Sequence, residues 1–159
     1  MDPNFDNPLP YYTLVIMHLI CYPVCIYLKN PFLMIWLNFG IIPLLDKYLP
    51  FDNLTPSKEK QKEMKQMYRF KIPLILTALF DYITLFWSIN EIVKNENGEF
   101  YNLGLILNMI MLQGTAFTTN HELNHKPSLF EKIVGTIGMA KSFYMHFLIE
   151  HNQGHHKNV

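Results

Sequence analysis

Cysteine and charge are what this chain has least of. Its 159 residues include two cysteines, Cys21 and Cys25, four apart in an apolar run with no Cys-x-x-Cys pattern. That count and spacing exclude a disulfide framework and a zinc ribbon. The pair reads as two small hydrophobes packed along a helix. Charged residues make up 16% of the chain, against about 25% in an ordinary soluble domain. Thirteen basic residues balance thirteen acidic ones, Arg69 is the single arginine, and the formal net charge is zero. Nucleic acid is therefore not indicated as a partner. The opening residues, Met1 to Asn7, carry no positive charge, and no small-residue cleavage site follows. No secretory signal is expected, and the first apolar stretch should remain in the mature protein.

Apolar residues, by contrast, make up 50% of the chain and gather in four long segments. Expected helices cover about 11–28, 31–50, 71–93 and 100–126. Crossing a bilayer takes about 20 apolar residues, with a range near 17–25. The first, third and fourth segments meet this; the second does so only with Asp46 at the interface. Prolines 23, 43 and 73 do not veto helices here, because neighbouring groups in a membrane bundle re-satisfy the freed carbonyls. The fold class is thus all-α, a polytopic transmembrane helical bundle, since a soluble helix would need a polar face to show to water.

The loops set an orientation. Lys58, Lys60, Lys62, Lys65, Arg69 and Lys71 crowd the link between the second and third segments, whereas the other two links offer Lys29 and Lys94. Lysine and arginine excess marks the cytoplasmic side. The fourth segment then runs inward and brings His121 and His125 to the cytoplasmic face of an inner (plasma) membrane.

Pro127 stops that helix. Ser128-Leu-Phe-Glu131 reads as a capping box that opens a further helix over about 129–150. A full crossing would leave His151 on the opposite side from His121. Lys141 at its middle argues instead for an interfacial or re-entrant course, which keeps both on one side. Asp81 falls about 15 Å into its helix at 1.5 Å per residue; a functional acid and a hydrogen-bonded packing residue are equally open readings. His18 and His146 read as polar packing groups.

Five of the seven histidines lie in two clusters, His121-Glu-Leu-Asn-His125 and Glu150-His151-Asn-Gln-Gly-His155-His156. Histidines four apart on a helix project from one face. Gly154 lets the backbone bend so that adjacent rings can aim inward. Nitrogen ligands suit iron, copper, zinc or nickel better than magnesium or calcium, and a cysteine-free set points to a redox or hydrolytic centre. The first cluster alone shares its spacing with the zinc-protease helix. The second cluster and the preceding membrane segments set it apart.

Asn120-His-Glu-Leu-Asn-His-Lys126 and Glu150-His-Asn-Gln-Gly-His-His156 resemble the first two histidine motifs of the membrane-bound alkane 1-monooxygenases, and Ile41-Ile-Pro-Leu-Leu-Asp46 resembles another stretch of that family. The resemblance lies within the wider superfamily of membrane desaturases and fatty-acid hydroxylases. It implies a non-haem di-iron centre with His121, His125, His151, His155 and His156 as iron ligands. Glu122 and Glu150 would orient those rings. It further implies dioxygen, an alkane or alkyl-chain substrate entering from the lipid bilayer, and rubredoxin or ferredoxin as electron donor. The family carries further histidine motifs and membrane helices downstream, so the chain reads as an N-terminal fragment, inactive alone. Two alternatives stay open: a fatty-acid desaturase or hydroxylase, and a truncated non-catalytic membrane subunit.

Overall fold

A computed structural model describes residues 6–49 and 55–155, with the backbone alone at 148, 152, 153 and 155. The described residues form helices and turns, with no strand among them. Helix α1 is Leu9–Tyr27, and α2 runs over 33–48. They are followed by α3 (Lys58–Gln66), α4 (Tyr68–Lys94), α5 (Glu99–Asn124) and α6 (Leu129–Ala140). A short α7 (Phe147–Ile149) continues into the wide turn Glu150–His155. Among the described residues, α1, α4 and α5 are long and apolar enough to cross a membrane. Helix α2 covers about 24 Å at 1.5 Å per residue, short of a hydrocarbon core of about 30 Å. The expected end of the second segment, at residue 50, lies outside the described residues.

The distribution of side chains is the reverse of a soluble bundle. Trp36, Phe39, Phe86 and Ile110 face outward, whereas Thr77, Asp81, Thr84 and Ser88 of α4 are buried, as are Asn108, Thr119, Asn120 and Asn124 of α5. The buried positions of α4 are spaced four, three and four apart, which is one helical face. A chain that turns its polar stripe inward and its aromatic residues outward is built for a lipid surround, because lipid cannot satisfy hydrogen-bonding groups. The hydroxyls meet their own helix: Thr77 donates to the Pro73 carbonyl at 2.8 Å and Ser88 to that of Thr84 at 2.7 Å.

Prolines 23 and 43 leave a mark. A proline lacks the N–H that bonds four residues back, and its ring presses on that carbonyl. In α1 the backbone widens over Met17–Cys21, with the Tyr22 N–H reaching the Met17 carbonyl; in α2 it widens over Leu37–Ile41, with Ile42 reaching Leu37. These are π turns, a common relief of such crowding.

Helix α4 turns into α5 through Asn95 (φ 52°) and Gly98 (φ 84°), and the Asn102 amide donates to the Asn95 side chain at 2.7 Å across the turn. Met17, Tyr22, Cys25, Met34 and Leu112 form a core between α1, α2 and α5. Gly104 of α5 lies so near the Pro31 ring that a Cβ there would overlap it. Asn108, one turn on, donates to the Pro31 carbonyl.

The expected capping box does not form. Ser128 takes the N-cap position of α6, but its side chain makes no capping bond. Glu131 is buried and lies 3.6 Å from Lys71 of α4. An inter-helical cation outcompetes a local N–H because the carboxylate is shielded from water there. From that point α6 runs alongside α4. Tyr82 donates its hydroxyl proton to the Ile137 carbonyl, and Lys141 reaches Asp81. The chain then reverses, with Phe143 at φ 55°, and returns along α7.

Candidate metal centre

The last turn of α5 presents His121, and His125 is its C-cap. Four residues of helix place both rings on one face, with centroids 4.7 Å apart and Nε2 atoms 2.8 Å apart. The returning α6–α7 hairpin supplies a third ring. His151 lies 4.4 Å from His121 and 5.1 Å from His125, centroid to centroid. One nitrogen of each ring falls within 4.8 Å of the others.

Three imidazoles so placed fit a transition-metal ion. Metal–nitrogen bonds of about 2.0–2.1 Å put adjacent ligand nitrogens about 3 Å apart, close to the His121–His125 approach. Imidazole donors select for iron, copper, zinc or nickel.

The structure treats the other sequence-derived candidates unequally. His155 lies on the backbone of the same wide turn as His151, and His156 lies outside the described residues. Glu122 pairs with Lys126 one turn on. Glu150 is exposed and lies 3.7 Å from His146. Asp46 is exposed on α2. His18 and Asp81 are buried together deeper in the bundle.

Sequence reasoning missed two features. Phe147 stacks on His151 (4.5 Å, 14° between planes) and stands 5.1 Å from His121, walling one side of the rings. Its place four residues before His151 is the same helical spacing that singled out the histidines. The second is how α6 reaches α5. A Cβ on Gly135 would come within 2.7 Å of the Asn120 carbonyl, and one on Gly138 would overlap the Asn120 side chain. Asn120 and Asn124 immediately precede His121 and His125, so α6 rests on the turns that carry these two rings.

A cavity of about 590 Å³ opens beside His125, lined by Lys62, Lys65, Lys71, Glu122 and Lys126. Its rim is dominated by lysine, from α3, from the start of α4 and from just past the end of α5.

No protein-family model matches the chain. Curated relatives do. It is 33% identical over 127 residues to alkane 1-monooxygenase 1 of Alcanivorax borkumensis, covering 80% of this chain and 31% of that protein. It is 32% identical over 127 residues to alkane 1-monooxygenase of Pseudomonas putida, with the same coverage of both chains. Against alkane 1-monooxygenase 1 of Pseudomonas aeruginosa, identity is 36% over 124 residues, covering 76% of this chain and 32% of the relative. The chain thus spans about a third of the length of the curated relatives it matches.

Proposed function

Because four-fifths of the chain is similar to curated alkane 1-monooxygenases, we propose that it forms part of a membrane monooxygenase that hydroxylates the terminal methyl of an alkane with dioxygen. The observation that carries this reading is the convergence of His121, His125 and His151, ligand atoms within 4.8 Å, at the end of a membrane-length helix.

In this reading the three rings hold iron, with His155 and His156 completing the ligands this chain contributes to a di-iron centre. Iron, when bound, supplies the activation of dioxygen. The chain's own residues then do three things. The imidazoles bind as neutral nitrogen donors, and Lys126 holds the carboxylate of Glu122, the residue that follows His121. Phe147 shields two of the rings from water, so that a hydrocarbon can approach without hydration competing for the site. The outward apolar residues of α4 and α5 give that hydrocarbon a route from the lipid.

Electrons come from rubredoxin or ferredoxin. The lysine-lined cavity beside His125 supports this, since an acidic carrier is steered to a basic rim. The histidine end faces the cytoplasm, in keeping with lysine excess in the α2–α4 link.

The test is product and metal analysis of the full gene product in membranes supplied with octane, dioxygen and a reduced iron–sulfur donor. The expected product is 1-octanol, from protein carrying iron at a di-iron stoichiometry. Stoichiometric zinc, or a double bond introduced into an acyl chain, overturns the reading.

A further inference from the structure

A second cluster of ionisable groups lies deep in the bundle, away from the histidine rings. Asp81 of α4 is 4% exposed and His18 of α1 is 2% exposed. Lys141, just past α6, has a side chain 4% exposed. The Asp81 carboxylate sits between the other two, paired through Oδ2 with the Lys141 ammonium and 3.7 Å through Oδ1 from His18 Nε2. His18 Nδ1 lies 2.7 Å from the Leu14 carbonyl. A carbonyl only accepts, so Nδ1 carries a proton, and Nε2 is the nitrogen turned toward Asp81. At 3.7 Å that is no hydrogen bond. Lys141 is therefore the counter-charge of Asp81, and its Nζ also stands 4.7 Å over the Tyr82 ring.

The pair occupies a mechanical position. Glu131 meets Lys71 near the start of α4, and Lys141 meets Asp81 ten residues further along both helices. At 1.5 Å per residue, α6 descends beside α4 for about 15 Å. Lys141 marks the depth at which the chain reverses, and ten residues later His151 stands against His121. Lys141 left without its partner is expelled toward the interface and the hairpin rises with it, and without Lys141 the hairpin loses its tie to α4 at that depth.

We infer that the Asp81–Lys141 pair fixes the depth of the 129–155 hairpin and thereby places His151 against the α5 histidines, Asp81 and Lys141 being positioning residues. The inference concerns chain geometry alone, so it stands or falls separately from the nature of the metal and the reaction.

Phe117 and Phe147 bridge the two elements, with ring centroids 5.5 Å apart. In the full-length membrane protein, with Cys21→Ser, Cys25→Ala, Phe117→Cys and Phe147→Cys introduced, oxidation should link positions 117 and 147, read by mass spectrometry of the joined peptides. Asp81→Leu or Lys141→Met alone should lower the linked fraction several-fold at equal protein level. The double variant Asp81→Lys/Lys141→Asp should recover it, because it rebuilds the ion pair with the two charges exchanged. An unchanged yield in the single variants overturns the inference, as does a loss that the double variant does not recover. If the single variants do not accumulate, the double variant decides: accumulation with the link supports the pair, and absence of the link refutes it.

Discussion

Gly138 of α6 packs directly on the Asn120 side chain, leaving no room for a methyl group between them. Asn120 is fully buried and is followed at once by His121. Packing between α5 and α6 and placement of the His121 ring are therefore one contact.

Gly138→Ala tests that contact. The added methyl forces α6 off Asn120, and overpacking of this kind costs about 1–3 kcal/mol. Thermal unfolding in detergent should show a lower midpoint, together with reduced metal per chain. Gly114 has open space around its Cα, so Gly114→Ala should leave both unchanged.

The histidines should separate by position. His121→Ala, His125→Ala and His151→Ala are each expected to weaken metal binding at least about tenfold, the lower bound seen for residues that merely orient ligands. His146 is exposed and lies beside Glu150, so His146→Ala should retain parental metal content. Elemental analysis of protein dialysed against a weak chelator reads the difference. Loss of metal in His146→Ala and retention in His151→Ala would reverse the assignment.

Removing the metal should lower stability. A ligand at about 100 times its Kd stabilises the folded state by about 2.7 kcal/mol. A strong chelator should therefore lower the melting midpoint of the parent protein and lower that of His121→Ala by less.

At the other end of the described chain, Asp6 accepts from Lys60 at 2.8 Å and from Arg69 at 3.2 Å. The Lys60 hydrogen bond, with the nearby positive charges, holds the Asp6 carboxyl below its usual range. A carboxyl lowered on folding stabilises the fold above its unfolded pKa, and that contribution is lost as pH falls through the folded value. Asp6→Asn should accordingly matter near neutral pH and cease to matter in acid. The difference in melting midpoint between parent and variant, followed against pH, checks this; raised salt should shrink it.

Orientation is testable by labelling. Lys62→Cys in α3 should react with an impermeant maleimide in inside-out vesicles alone, and Glu96→Cys in the α4–α5 turn in right-side-out vesicles alone. Reaction of both from the same side would end the orientation drawn from lysine excess.

The helical membrane bundle was legible in the sequence because apolar length is a local property, and each run declares itself without reference to its neighbours. The face shared by His121 and His125 was legible for the same reason. Lys141 was noticed as an obstacle to crossing, but its partner was not, since Asp81 lies sixty residues earlier and nothing local says which helix faces it. Glu131 shows the converse failure. Its spacing from Ser128 promised a local cap, and an ion pair with Lys71 on another helix took its place. The wide turns of α1 and α2 precede Pro23 and Pro43, yet Pro73 lies inside an unbroken α4. The presence of a proline alone did not tell them apart.

The inner face of α6 carries one further implication, for the order of biogenesis. Glu131 and Lys141 each find their opposite charge on α4, while Leu129, Phe130, Ile133 and Ile137 look outward. The hairpin thus gains a reason to enter the bilayer only once α4 is already in place to receive it. His151 arrives with that late-docking piece, so a chelate built on His121, His125 and His151 would be unfinished in ribosome-fresh protein. Any metal would then load only after the scaffold has matured.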